Sequence, residues 1–100
     1  MTATFELINQ NLFKISGSLD AGSVNALLPL GTKAISTNSH QELVIDLSDV
    51  TDSSSAGVAL LVAWWKVTKL HHKVLRLKNI PTKMHAIMRV SNLDELLETN

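Results

Sequence analysis

The stretch DVTDSSSAGVALLVAWWKV, from Asp49 to Val67, decides the fold class of this 100-residue chain. Three consecutive serines, Ser53 to Ser55, precede ten apolar residues, Ala56 to Trp65, and a lysine follows. Serine favours helix starts because its hydroxyl accepts hydrogen bonds from the first free backbone amides. The stretch therefore predicts a helix from about Ser55 to Leu70 that is too apolar for a single helix face to hold all of its hydrophobic side chains.

The residues before this stretch predict a hairpin and a first helix. Thr4 to Ile8 and Leu12 to Ser16 alternate between apolar and polar residues, and the link Asn9-Gln10-Asn11 is a turn signal. Asp20 or Ser23 can cap a helix that carries Val24, Leu27, Leu28 and Ile35. Because Pro29 and Gly31 weaken the middle of this helix, we expect it to be kinked or interrupted there.

The remaining elements predict an α/β fold. Leu43 to Ile45 is a β-branched run that ends at Asp46 and is typical of a buried central strand. Lys73 to Lys78 alternates as a further strand, and Pro81 suits the first turn of a helix through about Val90. A short closing element is expected around Leu93, Leu96 and Leu97. The order ββαβαβα predicts one domain over residues 1–100, with a mixed sheet of about four strands and helices packed against it.

Composition excludes several classes of function. Nine basic residues balance nine acidic ones, so the net charge gives no footprint for nucleic acid. The longest apolar run is about half of what a bilayer span needs, and the first residues do not resemble a signal peptide, so we expect a cytoplasmic protein without direct membrane insertion. The chain has no cysteine and no nucleotide-binding or nucleophile motif, so we expect neither an enzyme nor a cofactor.

Two groups of polar residues are better explained by structure than by metal binding. His71 and His72 are adjacent, diverge by about 100° on a helix and cannot chelate one metal together. We expect them at the carboxyl end of the second helix, where the helix dipole favours a protonated imidazole. Asp46, Asp49 and Asp52 are spaced by three and are expected on a soluble loop rather than in a cation site.

The helix after the serines has two apolar sides when its residues are advanced by about 100° each. The side expected to pack on the sheet carries Ala56, Leu60, Ala63, Trp64, Val67 and Leu70. The side expected to face outward carries Ser55, Val58, Val62 and Trp65 together with Lys66 and Lys69. A contiguous apolar patch beside lysines is typical of a partner-binding surface. The alternative is that the third helix or the chain terminus covers it.

The serine cluster supports two interpretations. Any of the three could simply be the N-cap of the helix. A helix N-terminus also stabilises a phosphate, and a phosphate on an apolar patch would oppose docking through its charge and desolvation cost. The cluster alone does not decide between a cap and a regulated hydroxyl.

Three stretches resemble the STAS domain, the fold of bacterial anti-sigma-factor antagonists. They are ISGSLDAGSV (Ile15 to Val24), LVIDLSDVTDSSSAGVALL (Leu43 to Leu61) and VLRLKNIPTKMHAIMRVSNLDELL (Val74 to Leu97). The resemblance implies binding of a partner protein through the N-terminal end of the second helix. In the sigma-regulating branch a partner kinase phosphorylates a hydroxyl that matches Ser55, and the nearby acidic residue matches Asp20. The chain departs from that branch at Ser54, where an Asp is usual, and at Ala56.

A second branch is similar over LDAGSVNALLPL (Leu19 to Leu30) and GVALLVAWW (Gly57 to Trp65). These are MlaB-like subunits, which bind the ATPase of a phospholipid-transporting ABC system. The resemblance implies a cytoplasmic adaptor, peripheral to the inner membrane through that ATPase, with an anti-sigma kinase as the alternative partner. A homodimer through the outer side is left open. The expected partner-binding residues are Asp20, Ser54, Ser55, Val58, Val62, Trp65 and Lys69.

Overall fold

The computed structural model describes residues 3–93 and residue 96. In chain order the elements are β1 Thr4–Asn9, β2 Leu12–Leu19, α1 Ala21–Thr37, β3 Glu42–Ser53, α2 Ser55–Leu70, β4 Val74–Lys78 and α3 Thr82–Val90. This order confirms the predicted α/β fold and the predicted bounds of the second helix. The predicted closing element lies outside the described residues except for Leu93 and Leu96.

The four strands form one mixed sheet in the order β1-β2-β3-β4. β1 and β2 are antiparallel, which confirms the hairpin, whereas β3 runs parallel to both β2 and β4. Two successive right-handed crossovers in the same direction place α1 and α2 on the same face of the sheet. Helix α2 lies between α1 and α3 and packs against both.

The core fills the space between the sheet and the helices. Phe13, Ile45 and Leu77 are partners across β2, β3 and β4, and all three are buried. Residues on the other strand face, such as Lys14, Asp46 and Arg76, are half-buried or exposed. The sheet is therefore covered on one face, and β3 is buried on that face alone rather than on both. Within the part of the chain that is described, none of the helices has the length and apolar character to cross a bilayer.

Strand β3 is longer than the sequence indicates. It continues past Asp46 to Ser53, so the expectation that Asp46, Asp49 and Asp52 lie on a loop is wrong. The strand continues because its polar residues can face water on the open side of the sheet, while Leu47 and Ser53 are buried. Its pairing with β2 is irregular around Gly17, whose φ of 98° is a conformation that glycine adopts without strain.

Helix α1 is continuous from Ala21 to Thr37, so the expected interruption at Pro29 is wrong. Helix α1 packs closely against α2 at Gly31. A Cβ at Gly31 would lie 2.2 Å from the Cε2 and Cζ2 atoms of Trp64, so the indole of α2 rests directly on the backbone of α1. The indole N–H also donates to the Leu28 carbonyl at 3.2 Å, and the ring centroid lies 5.2 Å from that of Phe5.

The carboxyl ends of α1 and α2 lie close together. His71 is the C-cap residue of α2, as expected, and its Nε2 lies 3.3 Å from the Ser36 hydroxyl on α1. The Lys73 ammonium donates to the Ile35 carbonyl at 2.8 Å and also to the Asn38 carbonyl. The Lys73 side chain therefore satisfies carbonyl groups at the end of α1.

Candidate functional site

The N-termini of α1 and α2 lie side by side at one edge of the sheet. They follow β2 and β3, which are parallel neighbours, and Leu19 at the end of β2 is the partner of Ser53 at the end of β3. The Ser54 hydroxyl donates across this junction to the Leu19 carbonyl at 3.3 Å. The structure therefore brings together the Asp20 and Ser55 regions that the sequence predicts to share a site.

The three serines occupy three different environments. Ser53 is buried at the end of β3. Ser54 is the N-cap of α2, and its Oγ accepts from the Ala56 amide at 3.2 Å. Ser55 is the first residue of α2 and is exposed. Of the three hydroxyls, that of Ser55 is therefore the most accessible to another protein.

Asp20 has a structural role at the start of α1. Its carboxylate accepts from the Ser23 amide at 2.9 Å, and the Ser23 hydroxyl accepts from the Asp20 amide at 3.0 Å, which forms a capping box. The backbone hydrogen bond from Ser23 is the main cause that lowers the pKa of Asp20 below 3.8, although partial desolvation opposes it. Asp20 is thus a fixed negative charge beside the α2 N-terminus.

The exposed side of α2 is defined here as the outer ridge. Ser55, Ala59 and Lys66 are exposed, and Val62 and Ala63 flank them as half-buried residues. Positions 55, 59, 62 and 66 recur every three or four residues, and position 63 lies four residues after 59, so the five form one stripe along the helix. The outer ridge begins at the accessible serine and ends at a lysine.

An open groove lies on each side of the outer ridge. The α2–α3 groove has an apolar floor formed by Val58, Val62, Ile87 and Leu93, with Ser55 at one end and Lys66 on its rim. The α1–α2 groove is lined by Ala21, Val24, Asn25, Leu28, Ala56, Ala59, Leu60 and Ala63. Because the ridge is built from small side chains, a partner could contact both grooves across it.

The predicted division of α2 into two sides is only partly correct. Leu60 and Trp64 are buried as expected, but Leu70 is 76% exposed although it was expected to pack on the sheet. Val58 was expected on the exposed side and is only 5% exposed. The observed inward direction is centred near Trp64 and Leu61, about a quarter turn from the predicted centre.

Trp65 is half-buried and packs against the edge of the core rather than lying open on the surface. The Lys69 ammonium lies 4.7 Å from the centroid of its ring, in cation–π contact. Trp65 and Lys69 therefore form the α3-facing flank of α2. Ala59 and Ala63, which sequence reasoning did not assign to the site, occupy its centre.

A charged pair links the end of β3 to α3. Asp52, near the end of β3, lies 3.9 Å from the Lys83 ammonium on α3 and also accepts from the Ser53 amide at 2.9 Å. Over residues 3–93 and 96, no group of three His, Cys, Asp or Glu side chains is arranged to hold a metal ion. The chemistry that the described site offers is therefore apolar contact, one accessible hydroxyl and rim charges.

Comparison with protein families identifies the class. The family described as "Mlab, STAS domain" matches residues 8–98, and the chain belongs to this STAS domain family. The stretches whose sequence resembles STAS domains therefore lie within a domain of that family.

Solved structures show the same fold. The unphosphorylated form of the anti-sigma factor antagonist SpoIIAA matches with a TM-score of 0.68 and 17% identity, over 87% of this chain and 81% of that one. The phosphorylated form of SpoIIAA, described as a Bacillus cell fate determinant, matches with a TM-score of 0.72 and 18% identity, over 94% and 86% of the two chains. At this identity the similarity concerns the fold.

Proposed function

We propose that this chain is a non-enzymatic adaptor that binds a partner protein through the outer ridge of α2 and the N-terminal end of that helix. The observation that carries the proposal is the α2–α3 groove, an open apolar surface that begins at the exposed Ser55. Open apolar grooves beside a helix suit side chains of a partner protein, since docking removes this surface from water.

The proposed partner is the ATPase of a phospholipid-transporting ABC system, which would keep this domain in the cytoplasm and peripheral to the inner membrane. Membership of the MlaB-type STAS family supports this choice. The half-buried Trp65 and the small residues Ala59 and Ala63 also suit a lasting interface, because close approach of another backbone needs small side chains at the centre.

Capture from the native host tests this proposal. A tagged copy should co-purify with the ATPase, and Val62→Asp should abolish that capture, since it places a charge on the floor of the α2–α3 groove. Val90→Asp is the matched control, because Val90 is 85% exposed on α3 and lines neither groove. Retention of the ATPase by the Val62 variant would contradict the proposed surface.

The second candidate function is an anti-sigma factor antagonist that a partner kinase phosphorylates at Ser55. The favouring observation is that Ser55 is the exposed serine of the cluster, whereas Ser53 is buried and Ser54 caps α2. SpoIIAA, which has the same fold, exists in unphosphorylated and phosphorylated forms.

Mass spectrometry separates the two candidates. Under the antagonist function, incubation with the host's anti-sigma kinases and ATP adds one phosphate, which Ser55→Ala removes and Ser54→Ala retains. Under the ATPase-binding function, no phosphate is added. In both cases Ser55→Glu should weaken docking, because it places a carboxylate at the end of the apolar groove.

A further inference from the structure

The three helices carry positive charge only. Five lysine or arginine residues and no aspartate or glutamate lie within Ala21–Thr37, Ser55–Leu70 and Thr82–Val90. The five are Lys33, Lys66, Lys69, Lys83 and Arg89. The net charge of zero therefore conceals a strong asymmetry between the helical layer and the rest of the chain.

The acidic residues of the described chain lie on the sheet or at a helix cap, and several are compensated there. Lys14 pairs with Asp49 at 2.8 Å, and Arg76 pairs with Glu42 at 2.8 Å. Asp46 accepts from the Asn79 amide group at 3.1 Å. Asp94, Glu95 and Glu98 follow α3 in the sequence and are not among the described residues.

The outer ridge is positive at its carboxyl end and apolar before it. Its first end, the N-terminus of α2, lies beside the Asp20 carboxylate, and the Ala56 and Gly57 amides there already donate to Ser54. Its second end is Lys66, which is exposed and forms no ion pair with another described residue. Eleven residues separate Ser55 from Lys66, which corresponds to about 16 Å along a helix.

We infer that the outer ridge binds an acidic amphipathic helix of its partner, with an apolar stripe and carboxylates beside the end of that stripe that meets Lys66. This inference rests on the proposed function and adds the chemistry of the partner. Carboxylates would lie near Lys66, while apolar side chains fill the α2–α3 groove. About three turns of helix match the distance from Ser55 to Lys66.

The shape of the surface favours a protein helix over an anionic membrane. Membrane-surface helices insert large apolar side chains that protrude from the helix. At the centre of the outer ridge stand Ala59 and Ala63, and the apolar surface lies in the groove beside them. A groove accepts the side chains of another helix, whereas a bilayer surface would make little contact with its floor.

Two synthetic helical peptides test the inference directly. Both carry the same leucine stripe, and they differ only in having glutamates or lysines beside it. In a ¹⁵N NMR titration of the full chain, the acidic peptide should shift the amides of Ala59, Val62 and Ile87 and bind at least about tenfold more tightly than the basic peptide. This binding should weaken several-fold when NaCl rises from about 50 to about 300 mM.

Charge reversal supplies the matched variants. Lys66→Glu should reduce binding of the acidic peptide about tenfold, whereas Lys78→Glu, the same change on an exposed lysine of β4, should leave it unchanged. Equal binding of the two peptides, binding of neither, or equal effects of the two variants would overturn the inference. Lys66-dependent pelleting with phosphatidylglycerol vesicles, without peptide binding, would overturn it in favour of a membrane.

The same variants keep this inference separate from the proposed function. If Val62→Asp abolishes capture of the ATPase from the host and Lys66→Glu does not, the docking function stands and the acidic partner helix is wrong. If the acidic peptide binds the ridge and no ATPase is captured, the surface chemistry stands and the proposed partner is wrong.

Discussion

Helix α2 meets its two neighbouring helices in different ways. Toward α1, the buried Trp64 indole lies directly on the Gly31 backbone, although the α1–α2 groove is open nearer the N-termini of the two helices. Toward α3, the α2–α3 groove remains open above Val58 and Val62. One apolar helix can therefore anchor the fold at one point and leave surface for a partner at another, depending on where a large side chain meets a glycine.

The two adjacent tryptophans give the largest expected contrast. Trp64→Ala should cost about 3 to 5 kcal/mol in free energy of unfolding, because it empties a fully buried site and removes the contact with Phe5. Trp65→Ala should cost about 1 to 2 kcal/mol, since that ring is half-buried. Urea denaturation followed by circular dichroism measures both. Equal costs would contradict the assigned orientation of α2.

Gly31→Ala is expected to cost about 2 to 3 kcal/mol, because a methyl group cannot fit against the Trp64 ring and the better helix propensity of alanine offsets only part of the strain. Gly22→Ala, in the same helix, is the matched control and should be nearly neutral, since its nearest neighbour is the Asp20 carboxylate at 3.5 Å.

A double-mutant cycle shows whether the Gly31 penalty comes from Trp64. In a Trp64→Leu background, Gly31→Ala should lose at least half of its cost, because the indole edge is no longer present. An unchanged penalty would mean that Gly31 is needed for another reason.

The capping of α1 by Lys73 contributes less to stability. Lys73→Met should cost about 1 to 3 kcal/mol, because the Ile35 carbonyl at the end of α1 loses a charged donor. Lys78→Met, on the exposed end of β4, should change the free energy of unfolding by less than about 0.5 kcal/mol. Matching urea midpoints for the two variants would show that the cap is energetically unimportant.

The smallest expected effect concerns the Asp20 cap and pH. Its folded-state pKa lies below 3.8, so its ionised form stabilises the fold above that pH, and the contribution is lost as the pH falls through the folded value. Asp20→Asn keeps a capping oxygen that does not titrate. The wild type should therefore lose stability relative to this variant as the pH falls below about 4. A constant difference over that range would contradict the role of the charge.

The order and bounds of most elements could be predicted because helix and strand periodicities are local. The length of β3 could not be predicted, because the polar residues after Asp46 break the apolar pattern of a buried strand. They nevertheless continue the strand, since they can face water on the open side of the sheet. The orientation of α2 was also missed. A helix that is apolar all round gives no sequence signal for which of its sides faces the core. Close packing sets the orientation instead, because Gly57 packs tightly between Leu19 and Met84 and the buried Thr68 hydroxyl donates to the Trp65 carbonyl.

The site was predictable in part for the same reason. The serine cluster and Asp20 each follow a strand that the sequence located, although both strands end later than predicted, and the family resemblance placed the two close together. The outer ridge could not, because its centre consists of alanines, which carry no chemical signal in a sequence. Only the packing of α3 beside α2 shows that Ala59 stands beside an open groove.

Replacing either of two alanines with arginine, followed by capture from the native host, shows whether the partner docks on the outer ridge. Ala59→Arg places a long side chain on the outer ridge, and Ala26→Arg places the same one on an exposed position of α1 that lines neither groove. We predict that both variants keep the wild-type urea midpoint and that only Ala59→Arg loses the captured partner. Capture by Ala59→Arg at the wild-type level would contradict the account.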